Sequence, residues 1–199
     1  MGKHIYPAVA ITVVLTVLLG VLYPLAVTGL AQLVFPRQAG GSLIEQGGKV
    51  FGSSLIGQPF AGPGYFFSRP SAAGSGYDPT ASGGTNLGPT SKKLLAEQVG
   101  PAAAAARATR PGTPVPVDLV TSSGSGLDPH LSPAAADFQV PRVARERGMA
   151  EDVVRTLVRE HTAGRQWGVL GEPRVNVLEL NLALDAIRPL PRRARPGNG

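Results

Sequence analysis

From Ile5 to Pro36 the chain runs 32 residues without a single charged side chain. A bilayer core is crossed by about 20 helical residues, so this run spans it with length to spare for tilt. Lys3 and His4 flank one end and Arg37 the other. Tyr6, Tyr23 and Phe35 include two aromatics near the ends, where membrane interfaces favour them. Pro7 suits a first helical turn, and Pro24 is expected to kink the helix. The competing reading is a cleaved signal peptide, with Gly29-Leu30-Ala31 as the cleavage site. Signal peptides carry an apolar stretch of roughly 7–15 residues, about half of this one, so a retained anchor over residues 6–34 is expected.

Small or polar side chains recur every fourth position along the span at Ala8, Thr12, Thr16 and Gly20, then Pro24, Thr28 and Gln32. The first four share one side of a helix and form an expected packing stripe, since small residues let membrane helices approach closely. The short N-terminal tail with Lys3 is expected to stay in the cytoplasm, which places residues 37–187 outside it.

The remainder has room for one ordinary domain within the 199 residues. Four of the charges behind the net +6 are Arg188, Arg192, Arg193 and Arg195. They sit in a basic, Pro-rich tail over 188–199 that is expected to be disordered. Without them the balance is near neutral and no basic patch interleaves with aromatics, which argues against nucleic acid as a partner. The lack of cysteine excludes disulfides and thiolate metal sites.

Along this outer part, 37–50 reads as a Gly-rich connector and 50–58 as a hairpin or strand edge. Tyr65–Pro70 reads as a core strand, 71–90 as loop and Ser91–Ala108 as a helix interrupted near Gly100-Pro101. Val115–Val120 reads as a strand. Ser132-Pro133 has the cap-plus-proline form of a helix start. A helix over 149–161 places Val153, Val154, Leu157, Val158 and His161 on one face. Asn176, with Glu179 three residues later, has the form of a helix cap and favours a helix over 176–187, with strand alternation the other reading. The expected fold is therefore α+β (mixed α/β) with a small sheet, attached to one N-terminal transmembrane helix.

Chemistry is sparse. Ser125, Asp128 and His130 crowd one loop without the Gly-x-Ser-x-Gly elbow that presents a nucleophile. The glycine loops at 82–88 and 121–126 resemble anion cradles, yet no Gly-Lys-Ser/Thr follows either one. The histidines, at 4, 130 and 161, are too dispersed for a metal site. The residues name no catalytic group, no metal site and no tightly bound cofactor.

Longer stretches carry a resemblance. FGSSLIGQPF (51–60), YFFSRPSA (65–72), SGGTNLGPTS (82–91), VPVDLVTSSGSGLDPHLSPAAADFQVPRVARERG (115–148) and LGEPRVNVLELNLALD (170–185) resemble the C subunit of the Kdp potassium-transporting P-type ATPase. The match covers most of the chain in the family's order; the Ala-rich stretch and the arginine tail fall outside it. The resemblance implies a non-catalytic subunit of a bacterial cell (inner) membrane complex. Its partners would be a channel-like potassium-binding subunit, a P-type ATPase subunit and a small membrane peptide. It also implies a role in assembly, and a catalytic-chaperone role that raises the pump's ATP affinity, with ATP contacted at the glycine-serine loop. An outer position for that loop separates it from cytoplasmic ATP, so indirect modulation is the expected form. Ser82, Gly83, Gly84, Thr85, Asn86, Ser122, Gly124, Ser125, Gly126, Asp128 and His130 are the expected partner or nucleotide contacts. A solitary membrane-anchored binding or sensor protein is the alternative.

Overall fold

An apolar helix closes its backbone hydrogen bonds internally wherever each residue has an N–H to give; a proline does not. In the computed structural model, which describes residues 2–190, Gly2–Val17 (α1) and Tyr23–Val34 (α2) run on through a π-helical turn at Leu18–Leu22. That turn ends two residues before Pro24, and the Tyr23 N–H bonds the Leu18 carbonyl five residues back. The widened turn accommodates the missing donor and stands where the kink is expected. The helix begins at Gly2, so Pro7 stands in its second turn rather than its first. Lys3–Val34 is long and apolar enough to cross a membrane, with none of its most apolar window buried in the chain. Ala8, Thr12, Thr16 and Gly20 are all exposed along it, and the Thr12 hydroxyl donates to the Ala8 carbonyl at 2.8 Å.

A short helical turn, Pro36–Ala39 (α3), leads into the antiparallel hairpin Leu43–Gln46 (β1) and Lys49–Ser53 (β2). Gly47 and Gly48 join the strands with φ of 58° and 75°. Two successive positive φ values make the tight turn that matches strand twist, and glycine adopts them without strain. The 37–50 stretch is thus more than a connector, because it supplies one strand of the hairpin. The chain divides into two compact units, Met1–Ser53 and Ser54–Gly199.

In the second unit, Ser91 caps Lys92–Leu94 (α4) by accepting from Leu94 N at 3.3 Å. A π-helical turn at Leu95–Val99 continues into Gly100–Thr109 (α5), again ending two residues before a proline, Pro101. The helix passes through Gly100-Pro101 instead of breaking there. Val115–Val120 is not a strand. Val117–Leu119 form a 3-10 turn, since Pro114 and Pro116 have no N–H for a ladder. The turn presents Asp118, whose carboxylate accepts Ser132 N at 2.7 Å.

His130–Leu131 (β3) precedes Pro133–Arg147 (α6), with Ser132 accepting from Ala135 N at 3.2 Å as the expected cap. Pro141 lies inside α6 and leaves the Asp137 carbonyl without its helical donor; Arg110 Nη1 donates to that carbonyl at 3.3 Å. Gly148, at φ 60°, ends α6 with Met149 N bonded to Ala144 O at 2.9 Å. Glu151–Glu160 (α7) follows, burying Val154, Leu157 and Val158 but leaving Val153 46% exposed. Thr162–Ala163 (β4), Arg174–Asn176 (β5) and Val177–Ile187 (α8) complete the fold, and Asn176 accepts from Glu179 N at 3.1 Å. The sheet is antiparallel in the order β3-β5-β4, with two or three residues per strand. The mixed helix-and-small-sheet class is as expected.

The expected strand at Tyr65–Pro70 lies in no sheet, yet Phe66 is fully buried at the centre of the core with Leu131, Val140, Val175, Leu180 and Leu184. Side chains replace the neighbouring strand. Asn181 accepts from Phe66 N at 2.9 Å and donates to Phe66 O at 3.0 Å. Gln139 accepts from Phe67 N at 2.8 Å and donates to Phe67 O at 3.1 Å. Arg142 donates to the carbonyls of Pro63 and Tyr65, and Arg147 to that of Gly64 at 2.6 Å. Arg147 also bonds Asp185 at 2.9 Å and the Arg188 carbonyl at 2.7 Å. Arg188, the first residue of the basic tail, is thereby held on the fold; residues 191–199 of that tail lie outside the described residues.

Asn181→Leu keeps the branching and heavy-atom count of the side chain, with some added bulk, but strips the partners from two buried backbone groups. Each orphaned group costs about 1–3 kcal/mol, so thermal unfolding followed by circular dichroism should show a lowered midpoint. Surface Val153→Ala serves as the comparison and should shift it little.

Candidate functional site

The two glycine-serine loops are far apart in sequence but pack directly against each other. Gly83 N donates to Ser125 O at 2.9 Å and Ser82 Oγ to the same carbonyl at 3.1 Å. Gly126 sits at φ 68°, where a Cβ would stand 2.7 Å from both Ala73 N and Gly83 O. Only glycine permits this conformation together with so close an approach. At Gly84 a Cβ would come within 3.1 Å of Gly124 O. Ser71 ties the pair together, donating to Gly126 O at 2.6 Å while accepting from Tyr77 N at 2.8 Å.

Arg69 holds the far side of the second loop. Its Nε and Nη2 donate to the carbonyls of Thr121 and Ser122, each at 3.4 Å, and Nη1 pairs with Asp128 at 3.3 Å. The other oxygen of Asp128 accepts from His130 N at 3.0 Å and lies 3.2 Å from His130 Nδ1. Burial works against the Asp128 charge, but the His130 side-chain and backbone hydrogen bonds, with the His130 and Arg69 charges, outweigh it and hold the carboxyl below its ordinary value. Burial pushes the Tyr77 phenol up, and its hydroxyl donates to the Arg69 carbonyl.

The structure therefore brings Ser82, Gly83 and Gly84 against Gly124, Ser125 and Gly126, with Ser122, Asp128 and His130 gathered by Arg69. Thr85 and Asn86 do not join them. Asn86 turns at φ 54°, and the Thr85 hydroxyl accepts locally from Leu87 N at 3.3 Å. The Ser125 hydroxyl accepts from Leu127 N at 3.1 Å and lies 3.4 Å from Ser123 Oγ, while the His130 ring faces Asp128. These three residues are engaged as loop fasteners rather than as a nucleophile–base relay. Among the described residues no group of three or more His, Asp or Glu side chains is placed to hold a metal ion. Arg69, Ser71 and Tyr77 organise the site but escaped the sequence reading, because a single Arg or Ser next to proline carries no spacing signal.

Among the described residues one helix is long and apolar enough to cross a membrane, and with the mixed α+β unit and its interlocked polar loops it gives the plan of a membrane-anchored protein. The comparisons make this specific: the family described as "K+-transporting ATPase, c chain" (KdpC) matches residues 5–186. The chain is 59% identical over 191 residues to the potassium-transporting ATPase KdpC subunit of Koribacter versatilis, covering 96% of this chain and 98% of the relative. It is also 59% identical to that of Methylococcus capsulatus over 94% of this chain and all of the relative. The Rhodospirillum rubrum subunit is 56% identical over 96% of this chain and 99% of its own. The chain belongs to the KdpC family.

Because the folded-state pKa of Asp128 is depressed, its contribution to stability is full above the unfolded carboxyl value of about 3.9 and is lost as pH falls through the lower folded value. Asp128→Asn should therefore be less stable than the wild type at neutral pH and lose less of its stability between about pH 5 and about pH 2. Urea-unfolding midpoints across that range check the sign. Gly126→Ala should destabilise the unit more than Gly124→Ala, whose added methyl meets nothing within 4 Å.

Proposed function

We propose that this chain is a non-catalytic accessory subunit of an ATP-driven potassium uptake pump in the bacterial cell membrane. Its partners are a channel-like potassium-binding subunit, a P-type ATPase subunit and a small membrane peptide. The observation that carries the reading is a span with no burial inside its own chain, in a protein of the KdpC family. Such a helix finds its packing partners in lipid or in other subunits. The Ala8, Thr12, Thr16 and Gly20 stripe is the contact within the membrane. The fastened loops of Ser82–Gly84 and Ser122–His130 are the contact for the second unit, which lies outside the cytoplasm with the N-terminus inside.

Support for docking over nucleotide contact comes from the loops' hydrogen bonding, since much of their polar surface is engaged with Arg69, Ser71 and each other. A subunit placed outside raises the pump's ATP affinity by binding one of its conformations more tightly than another, and such coupling is reciprocal. The chain itself binds no cofactor tightly on this reading.

The test is a mild-detergent pull-down of the tagged chain from cells making the whole complex, followed by potassium-stimulated ATPase assay of the eluate. Wild type should recover an ATPase whose activity depends on residues 37–199. Gly20→Leu should reduce recovery of the membrane partners. Asp128→Ala combined with His130→Ala should reduce complex recovery more than it lowers the chain's own unfolding midpoint. A chain recovered alone, folded and monodisperse, would instead support a solitary anchored binding or sensor protein.

A further inference from the structure

Between β4 and β5 the chain leaves the sheet and closes on itself over residues 165–172. Gln166 N donates to Leu170 O at 2.8 Å and Leu170 N to Gln166 O at 2.9 Å, while Gly168 N and Val169 N donate to Arg165 O and Gln166 O, each at 3.2 Å. At the neck, Arg165 Nη2 bonds both oxygens of Glu172, at 2.8 and 2.7 Å. The tip carries Trp167 at 89% exposure, Val169 at 71% and Leu170 at 50%. Trp167 is the chain's one tryptophan and holds φ 52°, a costly conformation for an aromatic residue.

We propose that this tip is a lipid-interface contact, with Trp167, Val169 and Leu170 entering the headgroup–acyl boundary of a bilayer. Tryptophan favours that boundary because its ring is apolar and its N–H can stay wet. Backbone groups entering a low-dielectric layer must already be paired, and the tip pairs Gln166, Gly168, Val169 and Leu170 internally. The Arg165–Glu172 pair cancels charge at the depth of the headgroups. Three side chains on a narrow turn fall far short of the roughly 1,200 Å² buried in a stable protein–protein interface, whereas membrane contact needs no matching surface. The span Lys3–Val34 belongs to the same chain as the tip, so even a weak contact with lipid gains from covalent linkage to the bilayer.

Because Trp167 is the only tryptophan, its fluorescence reports the tip directly. The full-length chain is reconstituted alone into nanodiscs of phosphatidylethanolamine and phosphatidylglycerol, with ordinary or dibrominated acyl chains. The proposal expects blue-shifted emission, weak quenching by acrylamide, and clear loss of emission in brominated discs relative to ordinary ones, as for an interfacial indole. Val169→Asp with Leu170→Asp should return the emission to the red and abolish quenching by bromine. Red-shifted, acrylamide-accessible emission from wild type in both discs overturns it. So does a blue shift that appears only when the other pump subunits are present and is insensitive to bromine, which would assign the tip to a protein partner.

Discussion

Two side-chain amides carry the architecture of the second unit. A carboxamide presents an acceptor oxygen and N–H donors in one plane, so one side chain can serve both the N–H and the C=O of a residue, as a neighbouring strand does. Asn181 and Gln139 use it to pair both backbone groups of Phe66 and of Phe67. An extended segment is thereby seated in the core without a strand beside it, and Phe66 becomes fully buried. The arrangement tolerates two buried arginines because each donates three hydrogen bonds to acceptors around it. Arg142 lies over the Phe67 ring at 4.1 Å, and burial lowers its pKa to about 10, which still leaves it charged at neutral pH. Arg147 stacks on Tyr65 at 4.9 Å while bonding Asp185. Removing any one member strands the others, which is why such networks are satisfied completely or not at all.

The same segment sets the loops. Arg69 follows Phe66 by three residues, so the amide clamp that seats the phenylalanine also fixes where the guanidinium emerges. From Arg69 the order passes to Asp128 and His130, then through β3 to β5 and the cap of α8. Leu127 O receives Gly57 N at 2.7 Å, and Pro129 O receives Val177 N at 3.0 Å. The second loop is therefore hydrogen-bonded to the core beneath it, which suits the docking face proposed above, since a shape fixed in advance costs less to bind.

Local chemistry was legible in the sequence and long-range pairing was not. Ser91, Ser132 and Asn176 announced three helix starts because a cap is decided within four residues. The span was legible from its lack of charge alone. Tyr65–Pro70 has the composition of a buried strand and buries Phe66, but nothing in the sequence tells a side-chain amide from a strand as its partner. Val115–Val120 misled because its apolar residues outvoted its prolines. Pro24 and Pro101 marked irregularity in two helices, and both resolve into π-helical turns ending two residues upstream. The meeting of the loop at 82 with that at 125, and the part Arg69 plays, depend on the fold as a whole and left no spacing pattern to find.

The clamp also dictates when the unit closes during synthesis. Phe66 waits for Asn181, 115 residues further on, and Tyr65 for Asp185. Joining ends so distant carries a loop-closure cost that nothing upstream repays. Until α8 has emerged, the nascent chain holds only its span, its hairpin and isolated helices that are marginal on their own. The second unit thus stays threadable to nearly its last residue and shuts in one late step. Under the outer placement proposed above, that timing keeps the unit open while it crosses the membrane.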